Sequence, residues 1–115
     1  MKTLEQLLAS HCREIKGAAL DEGEVTAQLA VLDQWAQDVG ALTKTYRFKN
    51  YYETIAFVNA LAFMVHREDH HPDLHVGYNR CEVRYNTHSI NGISDNDFIC
   101  AAKADAIYSS GYSTA

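Results

Sequence analysis

Residues 66–75 read His66-Arg67-Glu68-Asp69-His70-His71-Pro72-Asp73-Leu74-His75, and the architecture turns on this stretch. A helical pattern enters it and a strand pattern leaves it. Upstream, apolar residues recur at helical spacing in two stripes, Tyr51/Ile55/Val58/Ala62/Val65 and Phe57/Leu61/Met64. Asn50 and Glu53 have the capping-box spacing that opens such a helix, so it is expected to run from there to about Asp69. Pro72 stops it, because the residue before a proline is pushed out of the α region. Downstream, residues 74–78 and 81–87 read as strands joined through Asn79-Arg80. In the second strand Cys81, Val83, Tyr85 and Thr87 share one face, and Glu82, Arg84, Asn86 and His88 the other.

The same signals extend in both directions. Before the long helix, residues 35–38 are extended, Val39-Gly40 marks a turn, and residues 42–48 alternate as a half-buried strand with Leu42, Tyr46 and Phe48 inward. Ahead of that hairpin, Asp21 and Glu24 make a capping box followed by Val25, Leu29 and Leu32 on one helical face. After the second hairpin come a turn at Asn91-Gly92 and a third capping box, Ser94 with Asp97, opening a helix to about Tyr108. The order is helix, hairpin, helix, hairpin, helix. It predicts an α+β fold: a two-layer domain, a four-stranded antiparallel sheet with three helices on one face. The domain is expected over residues 20–108. Residues 1–19 form an N-terminal extension, where Leu4, Leu7, Leu8, His11 and Ile15 have a helix-like spacing with one weak apolar face, a candidate helix, before Gly17 interrupts it. Residues 109–115 form a small polar tail that is expected to fray. A helix apolar on two stripes needs more than one partner, so a dimer or tetramer is expected.

Composition narrows the function classes. Of 115 residues 47% are hydrophobic and 22% charged, the balance of a folded globular domain. The formal net charge is −5 with both signs interspersed, which disfavours nucleic-acid binding. No apolar run reaches the length of a membrane span, and the N-terminus does not read as a signal peptide. Three widely spaced cysteines, Cys12, Cys81 and Cys100, suit a reducing compartment, so a cytoplasmic location is expected.

Four of the six histidines fall within residues 66–75. A metal site is the first idea to test, since His66 and His70 share a helix face. A zincin needs its glutamate directly after the first histidine, whereas Glu68 lies two residues on and faces away. No cysteine lies close in sequence to complete a zinc set, and no metal is expected. The plain alternative is a group of solvated histidines at a helix C-terminus, where imidazolium favours the dipole.

Asp69-His70-His71-Pro72-Asp73-Leu74, followed by Tyr78-Asn79, Thr87-His88, Gly92-Ile93-Ser94 and Asp97, resembles the signature of the pterin-4a-carbinolamine dehydratase family. Upstream, Tyr46-Arg47-Phe48-Lys49-Asn50-Tyr51 looks like that family's aromatic-basic segment, and Trp35 sits where the family usually has tryptophan. The resemblance spans residues 20–108. It implies the same α+β fold, assembly as a homodimer or homotetramer, and a hydro-lyase: removal of water from 4a-hydroxytetrahydropterin to give quinonoid dihydropterin. That reaction recycles the tetrahydropterin of aromatic amino-acid hydroxylases, and pterin is the substrate rather than a cofactor, none being expected. By similarity His70 and His88 map onto the acid–base histidines and His71 onto an orienting one. Asp69, His70, His71, Asn86, Thr87, His88 and Ser89 map onto the segments that bind the pterin. Asp97 maps onto a supporting acid with room for an influence on His88, and it also occupies the N3 position of the Ser94 capping box. Two departures stand out: Leu74 replaces a frequent aromatic, and His66 a frequent acid. His75 and His11 match no family position. Two other functions compete: a non-catalytic interaction protein of the dimerisation or transcriptional cofactor kind, and a binder of another pterin such as a molybdenum-cofactor precursor.

Overall fold

The computed structural model describes residues 1–111, so residues 112–115 of the expected tail lie outside the described residues. The chain order is α1 (Leu4–Ala9), α2 (Glu22–Leu29), β1 (Ala36–Asp38), β2 (Ala41–Arg47), α3 (Tyr51–Glu68), β3 (Asp73–Val76), β4 (Arg80–Tyr85), a 3₁₀ turn (His88–Ile90) and α4 (Asp95–Ser109). One four-stranded sheet has the order β1-β2-β4-β3, antiparallel throughout. This is the expected α+β architecture with a short helix, α1, added in front.

Register explains the layers. Leu42 pairs with Tyr85, Lys44 with Val83 and Tyr46 with Cys81, so these six side chains share the face toward the helices. Five of them are buried; Lys44 reaches across to the Asp105 carboxylate at 2.9 Å instead. Thr43, Thr45 and Arg47 face the other way, as their alternation predicts. The helices supply Phe57, Leu61, Met64, Phe98 and Ile99 to the same core. Tyr46, Phe48, Phe57 and Tyr108 meet there as an aromatic cluster with centroids 4.8–6.0 Å apart. Trp35 is a core residue, its Nε1–H donating to Asp105 at 3.1 Å.

On α3 the stripe Phe57/Leu61/Met64 is buried, extended at its two ends by Thr54 and Glu68. The other stripe is only half covered, leaving Tyr51 and Ala62 exposed beside Tyr52 and Phe63. The helix ends one residue early because Asp69 adopts the left-handed conformation, φ 52° and ψ 43°.

The second hairpin departs most from the sequence expectation. β3 starts at Asp73 and stops at Val76, and β4 stops at Tyr85 rather than running on through Thr87. The chain leaves the sheet there: Thr87 bridges back to Gly92, and Asn91 takes the left-handed φ of 52° that closes the turn. Continued extension would have pointed His88 to the outer face of the sheet. The 3₁₀ turn brings it to the end of α3 instead.

The N-terminal residues are part of the packed structure. Thr3 and Gln6 form a reciprocal capping box on α1, and Leu7 is buried against α4. Beyond α1, Cys12 Sγ sits 3.5 Å from Cys100 Sγ, both as free thiols. No helix among the described residues is long and apolar enough to cross a membrane.

Candidate active site

The end of α3, the 3₁₀ turn and the start of α4 converge on one histidine cluster. Asp97 is its hidden centre, fully buried on the first turn of α4. Its Oδ1 lies 2.6 Å from His70 Nε2. Its Oδ2 accepts the Ser94 backbone N–H and the Thr87 hydroxyl, each at 2.9 Å. Thr87 spends its only proton on Asp97, so Ser94 Oγ–H donates to Thr87 Oγ1 at 2.7 Å and accepts the Asn96 N–H at 3.2 Å. Every hydrogen bond around the acid is therefore assigned. With Asp97 as a carboxylate, which can only accept, the shared proton would lie on His70 Nε2 and leave Nδ1 as the other ring nitrogen.

His70 is fixed from two further sides. Its ring stacks on Tyr85, centroids 5.3 Å apart at 19°, and the Tyr85 hydroxyl donates to the His70 carbonyl at 3.3 Å. Burial pushes the Tyr85 phenol well above its ordinary range, so it stays a proton donor. His71 and His88 are exposed, and their rings face each other at 6.0 Å and 23°.

An open cavity of about 240 Å³ joins these groups. Asp69, His70, His71, Thr87, His88 and Ser89 line it. Asn86, half-buried just after β4, does not, and Asp97 stands behind His70 rather than on the cavity surface. Asp97 occupies N3 of the Ser94 capping box, as its spacing predicts, and its side chain also contacts a histidine of the cluster. The histidine it touches is His70, not His88. Of the other histidines, His66 is exposed, His75 lies 3.8 Å from Glu82 on the outer face of the sheet, and His11 bonds Glu68. No group of three or more His, Cys, Asp or Glu side chains is arranged to hold a metal ion among the described residues.

Sequence reasoning missed the groups that complete the cavity, Arg13, Glu14, Ile15 and Asn96. It also missed Glu68, a buried acid beside them that accepts from the Cys12 backbone N–H at 2.8 Å, His11 Nδ1 at 2.9 Å and Lys103 Nζ at 3.4 Å. Burial alone would raise its pKa, but those three donors outweigh burial and lower it to about 2. A larger cavity of about 420 Å³ lies across β2 and α4, away from the histidines. Of the two acids that line it, Asp33 and Asp105, the second is already engaged by Trp35, Lys44 and Tyr46.

Comparison with known proteins shows the family. The family described as pterin 4 alpha carbinolamine dehydratase matches residues 18–107. A candidate pterin-4-alpha-carbinolamine dehydratase of Nitrosospira multiformis is 49% identical over 108 residues, covering 92% of this chain and 96% of that protein. One of Bdellovibrio bacteriovorus is 59% identical over 93 residues, covering 77% and 78%. Among solved structures, a transcriptional coactivator/pterin dehydratase from Brucella melitensis superposes with a TM-score of 0.75 at 34% identity, covering 77% of this chain and 97% of that one. With a match over nearly all of its folded length, and with the histidine cluster inside that match, the chain belongs to the pterin 4 alpha carbinolamine dehydratase family.

Proposed function

We propose that this protein dehydrates 4a-hydroxytetrahydropterin to quinonoid dihydropterin by histidine acid–base chemistry. The observation that carries this reading is the arrangement of His70, His71 and His88 around one cavity, with buried Asp97 fixing His70 from behind. The reaction removes the C4a hydroxyl with its bonding electrons and the proton on N5, forming a C4a–N5 double bond and water. Its balance needs one proton donor and one acceptor, and neither an electron nor a metal. His70 is suited to take the N5 proton at Nδ1, because a carboxylate on Nε2 holds the ring in one tautomer and stabilises the cation that forms. His88, exposed across the cavity, protonates the departing hydroxyl. His71, stacked beside it, orients the flat ring. Asp69, Thr87 and Ser89 supply polar groups for the ring's amide-like edge; Asn86 would have to act from outside the cavity lining.

The test is a spectrophotometric assay with chemically generated 4a-hydroxytetrahydropterin, read as acceleration above the spontaneous rate. No acceleration at any enzyme concentration would overturn the reading. Extensive chelation should leave the rate unchanged; activity lost on chelation and restored only by zinc or iron would overturn the metal-free mechanism. The physiological role that fits is recycling of tetrahydropterin beside an aromatic amino-acid hydroxylase in the cytoplasm, and the half-covered stripe of α3 supports a homodimer or homotetramer. An interaction role is the second reading, supported by exposed Tyr52 and Phe63 on α3 and by the coactivator name of the Brucella melitensis relative.

A further inference from the structure

One wall of the cavity lies outside the family match. Residues 13–15 precede the matched span, which begins at residue 18, yet Arg13, Glu14 and Ile15 line the cavity beside the histidines. The segment that carries them is clamped at both ends. At its start, Glu68 accepts the Cys12 N–H at 2.8 Å. Asn96, 6% exposed, grips Arg13 twice: its Oδ1 accepts the Arg13 N–H at 3.1 Å and its Nδ2 donates to the Arg13 carbonyl at 2.6 Å. At its end, the Leu20 N–H donates to the Ile93 carbonyl at 2.9 Å. Ala19 approaches Gly92 so closely that a Cβ on Gly92 would stand 2.6 Å from the Ala19 Cβ. Glu68 and Asn96 are buried polar side chains whose partners include this backbone, so peeling the segment away would leave them under-paired. It is a built wall.

Its chemistry suits a particular part of the substrate. In a pterin, C6 is bonded to N5, the atom whose proton the site removes. A C6 substituent therefore projects past the histidines toward a flanking wall. Two walls are the histidine segments themselves, and the third is this strap. The Arg13 guanidinium is directed to Asp95 at 3.5 Å. The Glu14 carboxylate is exposed and makes no hydrogen bond or ion pair among the described residues, and Ile15 beside it is half-buried.

We propose that residues 13–15 read the C6 substituent of the pterin, Glu14 accepting hydrogen bonds from a hydroxylated side chain and Ile15 covering its carbon chain. This inference rests on the dehydratase reading above and adds a specificity residue to it. The test compares kcat/KM for two carbinolamines, one with a 6-dihydroxypropyl group and one with a 6-methyl group, in the wild type and in Glu14→Ala. Glu14 is exposed and outside the core, so the variant keeps its fold, which circular dichroism checks. Wild type should prefer the hydroxylated pterin. Glu14→Ala should lose roughly tenfold on that substrate, the effect of one hydrogen bond to a charged group. The loss should fall in KM and leave the 6-methyl pterin unchanged, and Glu14→Gln should recover part of it. Equal losses on both pterins, or none on either, would overturn the strap proposal while the dehydratase reading stands. If the wild type accelerates neither pterin, the dehydratase reading fails and the strap proposal falls with it.

Discussion

At the scale of single residues, the site divides into groups that meet the substrate and groups that hold them. His70 and His88 are assigned to proton transfer, and a positioned general acid or base contributes about 10²–10⁴-fold. His70→Ala and His88→Ala should each lose acceleration within that range, measured against the spontaneous rate, with the chain still folded. The double variant should fall short of the product of the two losses, because groups acting as a unit are non-additive. His75→Ala is the control: exposed on the outer face of the sheet, it should match wild type. Three variants with undiminished rates would remove the assignment. Asp97→Asn separates holding from reacting. An amide cannot accept from His70, Thr87 and Ser94 as a carboxylate does, so kcat should drop while α4 loses one of its capping contacts. A wild-type kcat in that variant would show that tautomer control does not matter here. The pairing partners of these residues are only partly readable in the sequence. Spacing places Asp97 three residues after Ser94, which is a local rule. Its contact with His70 spans 27 residues and depends on how α3 and α4 pack, which no spacing rule reports.

Helix starts are legible in the sequence for α2, α3 and α4. The boxes at Asp21 and Ser94 form as their spacing predicts, and Asn50 caps α3 with its side chain accepting the Glu53 N–H at 2.9 Å. The Thr3–Gln6 box is masked in the sequence because residues 1–15 present one weak stripe, whereas the helix ends at Ala9 and Ile15 belongs to the cavity wall. Strand ends are less legible. Alternation continues past Tyr85 into Thr87, and only the left-handed Asn91 and the Thr87–Gly92 bridge divert the chain. The β1–β2 turn offers a direct test of turn chemistry. Val39 and Gly40 have φ of 45° and 72°, the signs of a type I′ turn, and Val39 is 87% exposed. A β-branched residue is unfavourable at positive φ, and Asn-Gly is the preferred pair. Val39→Asn should stabilise the protein by about 0.5–1 kcal/mol, a rise of several degrees in Tm by thermal melting. An unchanged or lower Tm would count against the turn as the strained part of the hairpin.

For the whole molecule, the question is what covers α3. Its inner stripe is buried by the sheet and α4, while Tyr52 and Phe63, 83% and 66% exposed, stand on the outside with Tyr51 and Ala62. β3 is a free sheet edge as well, with Asp73, His75 and Val76 exposed. Sedimentation at micromolar concentration should show a dimer or tetramer, and Phe63→Glu should shift it toward monomer if the helix face is the contact. A clean 12.9 kDa monomer for the wild type would overturn the assembly. The two stripes are visible in the sequence; which one faces the sheet is not, because each has a helical period and only packing selects between them.

Glu68 joins strap and helices through one carboxylate, and this makes the fold sensitive to protons in a particular window. Its pKa, lowered from an ordinary 4.5 to about 2, means that the folded state prefers the ionised acid. The stabilisation is complete above the unfolded value and is lost as pH falls from about 4.5 toward 2, on the order of 3 kcal/mol in all. Acid unfolding followed by circular dichroism should therefore steepen below pH 4.5, and Glu68→Gln, already deprived of that term at neutral pH, should show a flatter acid limb. Identical limbs would place the acid sensitivity elsewhere. The window lies well below the range in which an ordinary imidazole changes charge. Wild-type rates collected near neutrality are thus recorded with the Glu68 carboxylate still ionised against its N-terminal wall.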